Sequence, residues 1–204
     1  MRDNPFAYDP FNDPPTFGNP VKPKEPKRGT HSYAISRFPS TVESDWKRVG
    51  DGLRHVTSLV SDTARVYRRV LIGPNSLVGH NTVLHDDVLL DSDVKVGNDC
   101  QIRECSEILQ GSQLGQESYL ESRVTIFPRC DVGNNVHLIR GTVILEECTI
   151  GDRVDILEPI RLGARSIIIS DTRINATNQV DIELDVKAEP DTFASLAATT
   201  FHTL

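Results

Sequence analysis

From Val60 onward every sixth residue is aliphatic: positions 60, 66, 72 and so on through Val186 are Val, Ile or Leu, 22 in succession. An amphipathic helix repeats every 3.6 residues and a half-buried strand every two, and neither period produces an unbroken series of sixes. The unit is a six-residue module. Four residues after each aliphatic position stands a second, smaller one, as in Ala64, Val70, Ser76, Thr82, Cys100 and Ser106, continuing to Thr172 before the register frays at Asn178 and Leu184. One large and one small inward position per module fits a narrow interior enclosed by short stacked strands.

Glycines set the number of modules per turn. Gly79, Gly97, Gly115, Gly133 and Gly151 fall in every third module, so three modules make one coil and these glycines stack on one structural corner, where the backbone is expected to bend sharply. Twenty-two modules make about seven coils, a three-sided prism about 34 Å long at about 4.8 Å per coil. The expected fold class is all-β, a single-stranded parallel β-helix spanning residues 60–189.

Open terminal coils expose unpaired strand edges and need caps. Trp46, Val49, Leu53, Val56 and Leu59 recur at three- and four-residue spacing, which predicts an amphipathic helix over 43–59, although Gly50 and Gly52 oppose it. At the other end, residues 190–204 supply Phe193, Leu196 and Phe201 for a C-terminal cap or tail. Residues 1–42 carry prolines at 5, 10, 14, 15, 20, 23, 26 and 39, which predicts a disordered Pro-rich tail.

The modules Ile72-Gly-Pro-Asn-Ser, Val96-Gly-Asn-Asp-Cys, Val132-Gly-Asn-Asn-Val and Ile150-Gly-Asp-Arg-Val resemble the hexapeptide-repeat superfamily. That resemblance implies a left-handed coil. The stretch Gly79 to Ile102, with Val66-Tyr-Arg68 upstream, resembles the β-helix of the epsilon subunit of the guanine-nucleotide exchange factor for translation initiation factor two. In that family the β-helix helps subunits associate, and its flanking catalytic domains do not fit within this length.

Charge and composition narrow the function classes. Twenty-nine acidic against 22 basic residues leave a net charge of −7, which gives no reason to expect a nucleic-acid partner. There is no 18-residue apolar span and no apolar leader near Met1, so the expectation is a cytoplasmic protein without membrane insertion. Cys100, Cys105, Cys130 and Cys148 lack metal-knuckle spacing and are expected to be reduced thiols, with Cys130 and Cys148 stacked one coil apart.

Hexapeptide-repeat acyltransferases carry a catalytic histidine near a cleft between subunits, and the in-frame candidates here are His80, His85 and His137. Val78-Gly-His-Asn-Thr-Val-Leu-His85 also resembles the γ-class carbonic anhydrase segment in which two histidines five apart bind zinc. It makes His80 and His85 candidate metal ligands, with Tyr67 at the place of a third. Asp86, Asp87, Asp91, Asp93 and Asp99 read as a solvated face. Asn4-Pro5-Phe6 and Asp9-Pro10-Phe11 resemble short motifs bound by endocytic adaptor domains. With the histidine constellation incomplete, no catalytic residue and no cofactor are assigned. The expectation is a non-catalytic assembly module binding protein partners or a second copy of itself, with a hexapeptide-repeat acyltransferase or a degenerate carbonic-anhydrase-like protein as the alternative.

Overall fold

The computed structural model describes residues 26–174. Twenty two-residue strands, from Leu59–Val60 to Arg173–Ile174, follow one another at six-residue intervals. Each aliphatic position of the repeat is the second residue of its strand and points inward, so Ile72, Leu90, Ile108, Ile126 and Ile144 are fully buried in one continuous core. Successive strands belong to three different sheets, and each pairs in parallel with the third strand after it, as Gln101 with Tyr119 and Glu107 with Thr125. The chain is a left-handed parallel β-helix with three sides. Side A runs from Leu71–Ile72 to Arg161–Leu162, side B from Leu59–Val60 to Ile167–Ile168, and side C from Arg65–Val66 to Arg173–Ile174.

Between strands the chain turns through the left-handed region, three residues after every aliphatic position from Val66 to Ile168 except Ile156. Fifteen non-glycine residues there have φ from 54° to 63°, and seven of them are Asn or Asp, whose short polar side chains tolerate that conformation best. The turn amides are held from below: Asp87 N–H donates to Arg68 O at 3.0 Å and Asp99 N–H to His80 O at 2.8 Å.

The corner glycines stack as expected but for a different reason. None of Gly79, Gly97, Gly115, Gly133 and Gly151 has positive φ; the bend falls two residues later, at Asn81, Asp99, Glu117, Asn135 and Arg153. What requires glycine is the close approach of successive coils. A Cβ on Gly115 would lie 2.5 Å from both carbonyl atoms of Gly133, backbone that cannot swing aside.

The small inward positions also do more than fit. Ser76, Thr82, Ser106, Ser112 and Ser118 each donate their hydroxyl to the carbonyl 15 residues on, as Ser112 to Phe127 O at 2.8 Å. Each also accepts from the amide 18 residues on, as from Cys130 N–H at 3.1 Å. These side chains staple adjacent coils from inside, where water cannot compete. Thr142 is the exception, with a buried hydroxyl that has no hydrogen-bond partner.

The helix expected over 43–59 is instead a short 3-10 turn (Glu43–Asp45) followed by a hairpin of β1 (Trp46–Val49) and β2 (Gly52–His55). Gly50, with φ of 52°, and Asp51 form a two-residue turn of the kind whose twist matches antiparallel strands. The segment still caps the solenoid. Strand β2 pairs with Leu71–Ile72, β1 ends side A as an antiparallel edge, and Arg54 takes the register position of an aliphatic residue and donates to Ser58 O at 2.7 Å.

The tail reading needs correction for its last part. Residues 27–38 are free of proline, and α1 (His31–Arg37) forms there with Thr30 as N-cap. Side A is apolar on its outward face in the first coils, at Leu53, Leu71 and Leu89, and Ala34, Phe38 and Trp46 cover it. Arg28 ties the strap to Glu107 at 2.6 Å and Arg37 to Asp91 at 3.0 Å. Residues 1–25, with the Phe6 and Phe11 motifs, and the expected cap at 190–204 lie outside the described residues.

Two consequences are measurable by urea denaturation. Gly115→Ala should cost at least about 2 kcal/mol through the backbone clash, whereas Gly141→Asn, at φ of 80° in open space, should stay within about 1 kcal/mol. Thr142→Val should leave stability unchanged or raise it by about 1 kcal/mol, and Ser112→Ala should lower it by about 1–3 kcal/mol.

Candidate functional site

Side B carries a hollow of about 340 Å³ at its N-terminal end, bordered by Leu59, Ser61, Leu77, His80 and Asn98. The coil repeat sets His80 next to Ser61 of the coil below: Ser61 Oγ and His80 Nδ1 are 2.7 Å apart. Ser61 Oγ accepts from Thr63 N–H at 3.3 Å and lies 3.1 Å from Thr63 Oγ1; when it donates its proton to Thr63 Oγ1 it accepts from His80 Nδ1–H. In that tautomer Nε2 keeps its lone pair. The backbone beneath is fixed too, with His80 N–H donating to Asn98 Oδ1 at 2.8 Å. Leu59 and Leu77 beside it are 68% and 37% exposed.

The other two histidines belong to side C. His85 stacks flat on Tyr67, one coil earlier, with ring centroids 5.3 Å apart and planes 3° apart, and its Nδ1 is 3.6 Å from Glu104. Glu104 is held down to about 2, first by the Ser122 hydroxyl hydrogen bond at 2.7 Å and then by its own backbone amide. His137 lies between Asp155 at 3.1 Å and Glu121 at 3.5 Å, with Tyr119 against its ring.

Within one chain the two expected metal ligands have different neighbours. His80 bonds to Ser61 on side B and His85 stacks on Tyr67, the residue expected at the place of a third ligand. Among the described residues no group of three His, Cys, Asp or Glu side chains is arranged to hold a metal ion.

Cys100, Cys130 and Cys148 are buried free thiols, and Cys105 is exposed. Cys130 donates to Leu145 O at 2.9 Å and Cys148 to Gly163 O at 3.0 Å, so they extend the serine ladder. The hydrogen bond toward Cys148 and burial push the Cys130 thiol up, which keeps it protonated and unreactive. The aspartates expected on a solvated face are spent on ladders: Asp86 pairs with Arg68, Asp87 with Arg69 and Asp91 with Arg37, and Asp93 and Asp99 accept from Asn75 and Asn81. Sequence reading overlooked Ser61, Tyr119, Glu121 and Asp155. The signal was present, because Tyr119, His137 and Asp155 recur one coil apart.

Residues 54–156, just over half of the chain, match the family model of the GMPPB C-terminal domain. The chain belongs to that family. No curated protein matches it by sequence. Among solved structures this GMPPB C-terminal-domain protein resembles LpxA from Acinetobacter baumannii, at 16% identity over 59% of this chain and 61% of that one, with a TM-score of 0.38. A hexapeptide transferase family protein from Anaplasma phagocytophilum is 17% identical over 57% of this chain and 72% of that one, with a TM-score of 0.38. PerB from Caulobacter crescentus, in complex with CoA and GDP-perosamine, is 16% identical over 58% and 51%, with a TM-score of 0.26. The chain spans only about half to three-quarters of the lengths of these structures. Among the described residues no helix is long and apolar enough to cross a membrane.

Acid titration reports on the side C cluster. A carboxyl whose folded value lies below its unfolded one stabilises the fold above the unfolded value, and that stability is lost as pH falls. Glu104 drops from 4.5 to about 2, so its contribution should fade between those limits. In Ser122→Ala, thermal melts should show a smaller loss of Tm across that window than the parent protein.

Proposed function

We propose that this chain is a hexapeptide-repeat transferase subunit that moves an acyl group from a thioester to a hydroxyl or amine acceptor, with His80 as the general base. The observation that carries the reading is the Ser61–His80 hydrogen bond at 2.7 Å, which orients the imidazole at the hollow. Nε2 takes the proton of the acceptor as its oxygen or nitrogen attacks the thioester carbonyl. The new C–O or C–N bond forms, the C–S bond breaks, and the thiolate leaves, taking up the proton from His80. The hollow is open to solvent on one side, and exposed Leu59 and Leu77 suit coverage by a second copy, which would exclude water from the thioester.

The second reading is a non-catalytic assembly module of the kind found in the exchange-factor epsilon subunit, binding protein partners through the prism faces. It is favoured by the constant six-residue spacing from Leu59 to Ile174, which leaves no inserted loop among the described coils to carry further catalytic groups.

Thiol release from acetyl-CoA, measured with a panel of small amines and alcohols, separates the two. The transferase reading expects release above the buffer rate and a loss of about 10²–10⁴-fold in His80→Ala, with the melting temperature unchanged. Release at the buffer rate by the parent protein overturns it and leaves the assembly module.

A further inference from the structure

Among the described residues, two left-handed turn amides are held by a side chain where backbone serves elsewhere. In later coils the turn amide donates to a main-chain carbonyl 19 residues earlier, as Asp87 N–H does to Arg68 O, Asp99 N–H to His80 O and Glu117 N–H to Asn98 O. At the N-terminal end a hydroxyl takes that place. Asn75 N–H donates to Thr57 Oγ1 and Asn81 N–H to Thr63 Oγ1, each at 2.9 Å. Thr63 therefore holds the residue that follows His80. Asn81 is fixed from the coil above as well, through its carboxamide, which donates to Asp99 Oδ1 at 3.0 Å.

The same Thr63 hydroxyl borders the Ser61–His80 pair. Thr63 Oγ1 is 3.1 Å from Ser61 Oγ and 3.5 Å from His80 Nδ1. Two proton arrangements satisfy these groups. In one, His80 Nδ1–H donates to Ser61, the Ser61 hydroxyl donates to Thr63, and Nε2 keeps its lone pair. In the other the chain runs backward: Thr63 donates to Ser61, Ser61 donates to Nδ1, and the neutral ring carries its proton on Nε2. The 3.5 Å approach favours the first. As a donor, Nδ1–H faces two hydroxyl oxygens. As an acceptor, its lone pair would face a lone pair of Thr63, whose proton then points away toward Ser61.

His55 supplies the contrast, because it stands where Ser61 stands one module later. Its Nδ1 accepts the Thr57 backbone N–H at 3.3 Å. That donor is fixed, so the neutral ring carries its proton on Nε2. Thr57 thus repeats the turn contact of Thr63 beside a buried histidine that does not border the hollow.

We infer that Thr63 is a positioning residue: through Ser61 it sets the tautomer of His80 and so leaves Nε2 free to take a proton at the hollow. Its consequence for acyl transfer rests on the transferase reading, whereas the relay itself does not. Thr63 acts only through the chain of Nδ1–H, Ser61 Oγ–H and Thr63 Oγ1. Thr63→Val keeps the branched shape and removes the acceptor, so the Ser61 hydroxyl turns to Nδ1 and the imidazole proton moves to Nε2.

Heteronuclear NMR of the imidazole nitrogens in the labelled full chain reads the tautomer without turnover, in alkaline buffer where free imidazole is neutral. His80→Gln identifies the His80 signals, and His55 gives the Nε2–H reference. The parent should show His80 protonated on Nδ1, Thr63→Val on Nε2, and Thr63→Ser on Nδ1 again. Thr57→Val, which removes the equivalent turn contact from Asn75, should leave His80 protonated on Nδ1. In the thiol-release assay Thr63→Val should be about 3- to 10-fold slower than the parent, the change that one hydrogen bond supports. The rate should return in Thr63→Ser and stay at the parental level in Thr57→Val. The inference is overturned by a parent whose His80 carries its proton on Nε2, by a Thr63→Val protein that keeps it on Nδ1, or by a Thr57→Val protein that moves it equally. The expected tautomers in a parent that transfers no acyl group support the relay and overturn the transferase reading alone.

Discussion

The coil-to-coil register of the backbone is the constraint on which the rest of this protein hangs. The first amide of a strand donates to a carbonyl of the next coil, as Leu71 N–H to Val88 O and Leu89 N–H to Ser106 O, and amides at the left-handed turn positions donate to carbonyls of the preceding coil, as Arg123 N–H to Glu104 O. A single inserted residue in any coil would throw every later side chain off its column and turn the buried aliphatic residues outward. The interior enforces the same length. Hydroxyls and thiols at the small positions find their partners at fixed places on the next coil, as Ser112 and Cys130 do, so a coil of the wrong length would bury polar groups without partners.

Stacking at a fixed interval turns the sequence into columns, and the columns hold the chemistry. A histidine on such a prism has as neighbours the residues one coil before and one coil after it. His85 therefore meets Tyr67 and His137 meets Asp155, each 18 residues away, whereas His80 meets Ser61 on the coil below, 19 residues earlier. The same arithmetic explains the charge ladders at the corners, where Arg68, Arg69, Arg129 and Arg153 each bond to an acid 18 residues on. Exposed pairs of this sort add little to stability individually, but they keep like charges from stacking along a column.

The N-terminal end shows how a repeat is terminated. Its first strand edge is closed by β1 and β2, and the apolar outward face of side A is covered by the strap around Phe38 and Trp46. Trp46 is held on three sides: Nε1 donates to Thr41 Oγ1 at 3.0 Å, His55 lies edge-on and Phe38 is tilted against it. Side A is thereby covered in its first coils by the strap and side C carries its own polar network, while among the described residues nothing covers side B.

The sequence by itself determined the architecture, because a period of six with a glycine in every third module is a geometric statement that only a three-sided coil satisfies. It also determined which residues line the core, since inward and outward positions follow from register alone. Tertiary structure decided the rest. Trp46, Val49 and Leu53 have helical spacing, yet they form a hairpin because side A needed an edge strand and Gly50 allowed the turn. Residues 31–37 became helical because three outward leucines needed cover that local sequence does not reveal. The corner glycines looked like bend residues, and only the measured approach of neighbouring coils showed that they make room for backbone. The division of His80 and His85 between two sides was likewise invisible in a linear motif, because the short stretch between them carries the chain around a corner and gives each imidazole a different neighbour from the coil below.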